Sequence, residues 1–497
     1  MKECMPYKIL NILSITHLLR YKVFLPLENT MRKKKFVVKD LAISDYASEG
    51  KSLGRIEGKV IFVEGAVPGD VADIFITKNK KDWAEGKAIN FTEYSKERTE
   101  PFCIHFGVCG GCKWQMLPYK KQLQYKQQEA VQVLKRIGKA ELPEVLTIIG
   151  SDDTIHYRNK LEFTFSNRRY LTNAEINKSE KIPQENALGY HAPGIFDKII
   201  DIQQCWLMDD INNIIRNTVR EYAVENALSY YDIRDHNGFL RNIIIRYCNT
   251  GEVMINFVFA NDNKDEIKKL LDHLLQKIPS ITTLLYTINQ KWNDSIYDLD
   301  PQVYFGKGYI TETLGEFKFK ISPKSFFQTN TKQAENLYTV AKNFAALTGN
   351  EIVYDLYCGT GSIGIFLSKQ SKKIIGVDVI ADSIKDAKEN ALLNSIEHAQ
   401  FFAGDVIEVC NDIFFAAHGR PDVIICDPPR AGMHEKLIIK LLEIAAPKIV
   451  YVSCNVATQA RDINLLNEKY TVEKIQPLDM FPHTHHIECV VLLQLKQ

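Results

Sequence analysis

The sequence predicts an α/β protein in three parts: a small N-terminal β-barrel, an α+β middle region and a C-terminal parallel sheet covered by helices. Three observations support this prediction. The chain has 497 residues, which is enough for about three domains. Short strand-like runs separated by glycines occupy residues 32–95. From residue 351 onward, strand-like and helical stretches alternate regularly, which is typical of a parallel sheet.

The composition excludes several classes of protein. Hydrophobic residues make up 45% of the chain, which is ordinary for a globular protein and argues against wholesale disorder. No apolar run reaches the roughly 20 residues that a membrane-spanning helix needs, so we expect a cytoplasmic protein without a membrane partner. Nothing in the sequence points to an obligate protein partner. The formal net charge is +1, but that total hides how the charges are distributed.

Residues 1–31 are interpreted as an N-terminal extension. Residues 9–19 form a short apolar run, but Arg20 and Lys22 follow at once and no small-residue cleavage site appears. Because Met31 opens a basic segment, a miscalled start codon fits the sequence as well as a genuine extension.

Residues 32–95 are predicted to fold as the small β-barrel. Alternating runs at Phe36–Val38, Val60–Val63 and Val71–Thr77 are separated by glycine turns. The unit is rich in lysine, at Lys33, Lys34, Lys35, Lys51, Lys59, Lys78, Lys80 and Lys81. A solvated basic surface and binding to a nucleic-acid backbone both explain this composition.

Residues 96–320 are predicted to form the α+β middle domain, in which strand-like runs such as Leu161–Ser166 alternate with helical runs such as Asp210–Glu225. Three cysteines crowd into a short stretch near its start: Cys103, Cys109 and Cys112. In a chain without a convincing export signal, such a cluster indicates metal or redox chemistry rather than disulfides.

Residues 321–497 are predicted to contain the parallel sheet. The strand candidates are Ile352–Tyr357, Lys373–Val379, Ala399–Ala403, Asp422–Asp427, Lys448–Ser453, Val472–Pro477 and Glu488–Leu495. Helical stretches separate the first six, so we expect helices on both faces of the sheet. The last strands lack a full helix between them, which favours an antiparallel edge.

The first of these strands runs into a glycine-rich loop, Asp355-Leu-Tyr-Cys-Gly-Thr-Gly-Ser-Ile-Gly364. Glycines between a strand and a helix let the backbone approach a ligand closely, and the loop lacks the GK[ST] signature of a P-loop. Acids also end the next three strands, at Asp378, Asp405 and Asp427. Such acids line the crevice where open α/β sheets bind ligands. The pattern resembles the S-adenosylmethionine-dependent methyltransferase fold, and a dinucleotide-dependent dehydrogenase is the structural competitor.

A cysteine and a carboxylate stand at the ends of two later strands. Cys454 ends the fifth strand, where a nucleophile and another buried thiol both fit. Glu488 begins an apolar strand, which is a costly place for an acid without a function. Together with a methyl donor, the pair suits one reaction. The thiolate adds to uracil C6, C5 attacks the methylsulfonium, and the carboxylate removes the C5 proton.

The surroundings of this pair refine the prediction. A pKa of Cys454 lowered by its site would raise the thiolate fraction. Arg430 follows Asp427-Pro-Pro, where enzymes that methylate exocyclic amines usually have an aromatic residue, so amine methylation is disfavoured. The histidines before Glu488 are interpreted as loop-shaping or substrate contacts rather than metal ligands: His483, His485 and His486.

From about Lys33 to its C-terminus, the sequence resembles the RNA (uracil-5-)-methyltransferase family. Members combine an N-terminal TRAM domain, which is an OB-like barrel, with an iron–sulfur RNA-binding domain and a Rossmann-like class I methyltransferase domain. The shared motifs are Cys103-x5-Cys109-Gly-Gly-Cys112 with Cys205, Phe326-Phe-Gln328, Asp355-Leu-Tyr-Cys-Gly, Asp427-Pro-Pro-Arg430, Ser453-Cys454-Asn455 and His486-Ile-Glu488.

The resemblance implies roles for individual residues. Cys454 is implied as the nucleophile and Glu488 as the proton acceptor. The implied S-adenosylmethionine site comprises Gln328, Tyr357, Gly359, Ser362, Asp378, Asp405 and Asp427. A 4Fe–4S cluster is implied for four cysteines, although tetrahedral zinc also suits four thiolates: Cys103, Cys109, Cys112 and Cys205. The chain departs from the common family pattern at Ser362, Asp378 and Val456, which concerns the donor contacts rather than the reaction.

The implied partner is RNA, with the target uridine unpaired or flipped out of its stack. The candidate RNA-facing segments are residues 156–160 and 238–242. The TRAM domain and the cysteine quartet favour 23S ribosomal RNA over tRNA as substrate. A non-catalytic iron–sulfur RNA-binding protein is the alternative from another functional class.

Overall fold

The computed structural model describes residues 36–138, 141–178 and 185–497, and the interpretation of residues 1–31 as an extension lies outside these ranges. Within them, no helix is both long and apolar enough to cross a membrane.

The N-terminal unit is a closed barrel, as predicted. Its strands, in chain order, are β1 (Val37–Tyr46), β2 (Ser52–Ile56), β3 (Lys59–Glu64), β4 (Val71–Asn79) and β5 (Trp83–Glu93). They close in the order β1-β2-β3-β5-β4, with β3 and β5 parallel and all other neighbours antiparallel. Alternate residues such as Ile61, Val63 and Ile74 fill the interior and are at most 1% exposed. Gly86 is required where β5 meets β4, because a Cβ there would lie 2.5 Å from the Ile74 side chain.

The segment after the barrel connects it to the C-terminal domain. Helix α1 (Tyr119–Gly138) follows the cysteine loop. Its Ala130 and Leu134 are buried in the same hydrophobic cluster as Ala460 and Ile463 of the C-terminal domain. Helix α1 therefore packs against the C-terminal domain.

The middle region is built on one seven-stranded mixed sheet. Its strands are β6 (Lys160–Ser166), β7 (Ala187–His191), β8 (Ile199–Asp201), β9 (Leu240–Tyr247), β10 (Val253–Phe259), β11 (Ile281–Ile288) and β12 (Gln302–Phe305). Its helices are α2 (Asn173–Ile176), α3 (Ile211–Glu225) and α4 (Lys264–Lys277). The strand order is β12-β11-β10-β9-β6-β7-β8, and α4 is the crossover between the parallel pair β10 and β11.

The prediction that residues 238–242 face RNA is wrong for most of that segment. The side chains of Phe239, Leu240, Arg241 and Asn242 are at most 6% exposed. They lie at the start of β9, which is covered by neighbours on both sides in the sheet. Residues 156–159 precede β6 and include the exposed His156, so that segment stays a prediction.

The C-terminal region begins with a hairpin and a helix, β13 (Ile310–Leu314), β14 (Phe317–Ile321) and α5 (Thr331–Ala345). The strands of its main sheet are β15 (Ile352–Leu356), β16 (Lys373–Asp378), β17 (Ala399–Ala403), β18 (Val423–Cys426), β19 (Lys448–Ser453), β20 (Tyr470–Leu478) and β21 (Glu488–Leu495). The intervening helices are α6 (Ser362–Leu367), α7 (Ala381–Leu393), α8 (Val406–Val409), α9 (Asp412–His418), α10 (Glu435–Ile444) and α11 (Val456–Leu466).

This sheet has the order β17-β16-β15-β18-β19-β21-β20, and the first five strands are parallel. All seven predicted strands are present, and the last two form an antiparallel pair at one edge of the sheet, as predicted. Strand β21 pairs antiparallel with both β19 and β20, so it lies second from the edge. The short connection from β20 to β21 makes these two strands an antiparallel hairpin, and β21 is the strand of the hairpin that pairs with β19.

Candidate active site

The glycine loop after β15 is a tight turn with left-handed backbone. Tyr357, Gly359 and Gly361 have φ angles of 62°, 54° and 77°. A Cβ at Gly361 would lie 2.9 Å from the ring of Phe401, so only glycine fits there. Ser362 follows as the first residue of α6, and its hydroxyl lies 2.9 Å from that of Tyr338.

Asp378 joins the end of β16 to this loop. One carboxylate oxygen accepts a hydrogen bond of 3.0 Å from the Gly359 backbone N–H, and the other accepts one of 2.9 Å from Ile380 N–H. Tyr357, Asp378 and Asp405 line one pocket of about 410 Å³. A pocket with acids from two adjacent strand ends is suited to binding the hydroxyl groups of a ribose.

Asp355 and Asp427 add carboxyl groups at the ends of β15 and β18. Burial raises the pKa of each to about 7. Asp355 accepts a hydrogen bond of 2.8 Å from the Gly364 backbone N–H, which opposes its shift. Carboxyl groups that would repel one another when ionised make this crevice a favourable place for a cation.

Cys454 and Glu488 lie where the pairing of β19 and β21 ends. The register pairs Ser453, the last residue of β19, with Cys489, so Cys454 directly after β19 comes next to Glu488, the first residue of β21. Glu488 is 5% exposed, and burial, followed by the charge of Asp427, raises its pKa well above the usual value. A carboxylate with a raised pKa is a stronger proton acceptor.

The structure does not lower the pKa of Cys454 in the way that would favour the thiolate. Burial, followed by the charges of Glu488 and Asp427, raises it to about 11, and Arg430 acts in the opposite direction. Asn455 fixes the start of α11 by accepting hydrogen bonds of 3.0 Å and 3.4 Å from two backbone N–H groups. Its side-chain amide also donates to the Arg430 carbonyl at 3.1 Å, which ties the Arg430 backbone to the strand end that carries Cys454.

Gln328 lies in the loop between β14 and α5. Its carbonyl accepts a hydrogen bond of 2.9 Å from Asn159 of the middle region. The buried Arg246 donates one of 2.6 Å to the Ser325 carbonyl in the same loop. Side chains of the middle region therefore fix the backbone around Gln328.

The loop from Asp479 to Ile487 carries the three histidines. Burial lowers the pKa of His483 to about 4, that of His485 to about 3 and that of His486 to about 4, so they are neutral near pH 7. The His483 carbonyl accepts hydrogen bonds from the backbone N–H groups of Lys113 and Trp114, at 2.8 Å and 3.1 Å. These contacts support the loop-shaping interpretation.

The four predicted cysteine ligands surround one pocket of the middle region. Cys103, Cys109, Cys112 and Cys205 all line a cavity of about 640 Å³. Burial raises the pKa of Cys109 to about 11 and that of Cys112 to about 12, and the charge of Cys205 contributes to both shifts. Across residues 36–138, 141–178 and 185–497, no group of three His, Cys, Asp or Glu side chains is arranged to hold a single metal ion.

Comparison with known proteins identifies the family. The model of the tRNA (Uracil-5-)-methyltransferase family matches residues 241–496, and that of the TRAM domain matches residues 32–89. An uncharacterized RNA methyltransferase of Bacteroides thetaiotaomicron is 52% identical over 90% of this chain and 100% of its own length. The chain belongs to the tRNA (uracil-5-)-methyltransferase family. A second RNA methyltransferase, from Porphyromonas gingivalis, is 46% identical over 91% of this chain and 99% of its own.

A solved member of the family matches the whole architecture of this methyltransferase. It is the tRNA (uracil-54, C5)-methyltransferase of Pyrococcus abyssi in complex with S-adenosyl-L-homocysteine. The two chains are 28% identical with a TM-score of 0.68, over 93% of this chain and 100% of the other. The predictions of the family, the fold class and an S-adenosylmethionine-dependent RNA methyltransferase are confirmed.

The sequence did not reveal several residues that shape the site of this methyltransferase. Lys126 of α1 forms a fully buried ion pair with Asp479 at 2.6 Å, and Gln122 contacts both the backbone and the ring of His483. Nothing in the sequence distinguished Lys126 and Gln122 from the other polar residues of their helix. Asp479 could have been recognised as a candidate, because this acid directly follows an apolar strand.

Proposed function

We propose that this methyltransferase modifies C5 of a specific uridine in 23S ribosomal RNA, with Cys454 as nucleophile and Glu488 as proton acceptor. The observation that carries the proposal is the pairing of β19 with β21. Because Ser453 pairs with Cys489, Cys454 and the buried Glu488 come next in the register, and, in addition to burial, the charges of Glu488 and Asp427 both raise the pKa of the Cys454 thiol.

The thiolate of Cys454 adds to uracil C6, which makes C5 nucleophilic enough to take the methyl group. Glu488 then accepts the C5 proton, and the C6–sulfur bond breaks to regenerate the thiolate and the aromatic ring. The raised pKa of Glu488 suits this role, because the carboxyl group retains the proton that it accepts.

S-adenosylmethionine supplies an electrophilic methyl group on a positively charged sulfur. The carboxyl groups of the crevice fit such a cation, since, in addition to burial, the charge of Asp427 contributes to the raised pKa values of both Asp355 and Glu488. The residues proposed to hold the donor are Gln328, Tyr357, Gly359, Ser362, Asp378, Asp405 and Asp427.

The chemistry is tested with labelled S-adenosylmethionine and RNA transcripts. Cys454→Ala should give no methyl transfer. Glu488→Gln should transfer the methyl group but release product slowly, so a covalent adduct of protein and methylated RNA should accumulate on a denaturing gel. Methyl transfer by the Cys454→Ala variant at the wild-type rate would show that Cys454 is not the nucleophile.

The choice of ribosomal RNA rests on the resemblance to family members with a TRAM domain and a cysteine quartet. A tRNA substrate is the second candidate, because the tRNA enzyme of Pyrococcus abyssi matches this chain over its whole length. Transcripts of 23S fragments and of tRNA should be compared as substrates, followed by mass spectrometry of both RNAs from a deletion strain. Loss of 5-methyluridine from tRNA alone would reject ribosomal RNA as the substrate.

We also propose that Cys103, Cys109, Cys112 and Cys205 hold a 4Fe–4S cluster. The observation that supports the proposal is that all four cysteines line one cavity, and tetrahedral zinc is the alternative for four thiolates. The bound cluster would join the loop of Cys103–Cys112 to the segment around Cys205 and supply no electron to the methyl transfer. Iron, sulfide and zinc analysis of anaerobically purified protein tests this. Zinc without iron would reject the cluster.

A further inference from the structure

Two exposed aromatic side chains of the middle region flank the turn at residues 232–237, and the proposed reaction uses neither. Trp292 is 76% exposed and Phe196 is 64% exposed. His236 of the turn stacks on Trp292 with ring centroids 4.8 Å apart and an interplanar angle of 6°. The guanidinium carbon of Arg234 lies 5.7 Å from the Phe196 ring centroid. Each ring therefore has a planar polar group on one side and solvent on the other.

Trp292 is held in place by a buried guanidinium. Arg241, which is 1% exposed, donates hydrogen bonds of 2.7 Å and 2.6 Å to the carbonyls of Asn289 and Lys291. It also donates to the Asn293 carbonyl at 3.0 Å and to the Asp294 carboxylate at 2.7 Å. The carbonyls on both sides of Trp292 are thus fixed, so this exposed ring is already ordered in the absence of a ligand.

The turn beneath these rings is fixed as well. The His236 ring nitrogen Nδ1 lies 3.2 Å from the Tyr231 hydroxyl, and the guanidinium of Arg241 lies 4.2 Å from the Tyr231 ring centroid. His236 has a φ of 52°, a backbone conformation that is costly without a stabilising environment. Arg234 donates a hydrogen bond of 2.6 Å to Asp197, the neighbour of Phe196.

We propose that Trp292 and Phe196, with His236 and Arg234 behind them, form a stacking surface for unpaired bases of the RNA substrate that flank the target uridine. The proposal deepens the proposed function, because it requires RNA as the substrate. Aromatic rings stack on every base, and a planar cation behind the ring adds to the attraction. The Phe196 ring lies beside the charged Arg234 and its partner Asp197, which is unlike the continuous apolar patch that fits a protein partner.

This surface is connected to the loop beside the active site. Trp292 lies on the segment of residues 289–300, which follows β11. At the far end of that segment, Lys324 donates a hydrogen bond of 3.2 Å to the Tyr297 carbonyl. Lys324 belongs to the same loop as Gln328, a proposed donor-site residue. The segment that carries Trp292 is therefore hydrogen-bonded to the loop that carries Gln328.

The test titrates a labelled, unstructured oligouridylate with the full-length protein, without S-adenosylmethionine, and follows binding by fluorescence anisotropy and tryptophan quenching in parallel. Stacking should quench Trp292, and Trp292→Ala should bind the oligonucleotide roughly 5- to 150-fold more weakly, the range expected for loss of one base stack. Trp292→Phe should keep near wild-type affinity while losing the quenching. Leu392→Ala, at an 80% exposed position of α7, is the matched control and should change neither.

Measurements of methyl transfer distinguish a failure of the stacking surface from a failure of the proposed function. With a transcript that the wild-type protein methylates as substrate, Trp292→Ala should raise the KM for RNA and leave kcat near the wild-type value. If wild type methylates RNA while Trp292→Ala binds and methylates equally well, the stacking surface is rejected and the proposed function stands. If wild type methylates neither candidate RNA but Trp292 is still quenched, the proposed substrates are rejected and the stacking surface stands.

Discussion

At the scale of single residues, Cys454 shows what depends on the folded environment. Its position at a strand end was readable from the sequence, because the carboxyl ends of parallel strands meet at one edge. The direction of its pKa shift was not readable. That direction depends on burial and on carboxylates contributed by β18 and β21, two other strands of the sheet. A cationic methyl donor in the same crevice would favour the thiolate.

Arg430 is the residue whose charge opposes the raised pKa of Cys454. Because a cation favours the thiolate, Arg430→Gln should raise the pKa of the thiol further. Methyl transfer should then slow about tenfold near neutral pH for each unit by which the pKa rises. The increase of the single-turnover rate with pH should move to higher pH, and Arg430→Lys should largely restore the wild-type profile. If Arg430→Gln slows methyl transfer by the same factor at every pH, Arg430 contacts RNA and does not act through the pKa of Cys454.

At the scale of elements, the loop between β20 and β21 connects distant parts of the molecule. Asp479 accepts hydrogen bonds from Tyr119 and Lys126 of α1, and His483 accepts them from the segment after Cys112. Individual strands and helices followed from local periodicity, and all seven strands of the C-terminal sheet were predicted. These long-range contacts could not be predicted, because no periodic pattern records which buried polar groups meet.

The buried pair of Lys126 and Asp479 makes a prediction about this loop. Both side chains are 0% exposed, so removing one partner leaves an uncompensated buried charge. Lys126→Met should reduce the free energy of unfolding by roughly 3–5 kcal/mol, measured by urea denaturation followed by tryptophan fluorescence. Lys120→Met, at an exposed position of the same helix, is the control and should change it by less than about 0.5 kcal/mol. Equal effects of the two substitutions would show that helix propensity is the cause, not the ion pair.

At the scale of the whole molecule, the net charge of +1 is a cancellation between regions. Residues 1–170 contain 29 Lys and Arg against 20 Asp and Glu, a net of +9, while the remainder has 33 against 41, a net of −8. The basic excess falls in the part that contains the barrel. The acidic excess falls in the part that contains the donor crevice, which matches a cationic methyl donor.

This separation predicts where the salt dependence of RNA binding originates. Lysines that contact phosphates release counterions, and each contact with a single strand contributes about 0.7 to the slope of log affinity against log salt. Lys80 and Lys81 lie at the exposed connection between β4 and β5 of the barrel. Replacing both with Gln should reduce the slope by about 1.4 in magnitude, measured by fluorescence anisotropy with a transcript at several salt concentrations.

The matched pair Lys385→Gln and Lys388→Gln removes the same charge from exposed positions of α7 and should leave the slope unchanged. Equal reductions by the two pairs would mean that overall charge attracts the RNA, whereas a reduction confined to the first pair assigns the phosphate contacts to the barrel.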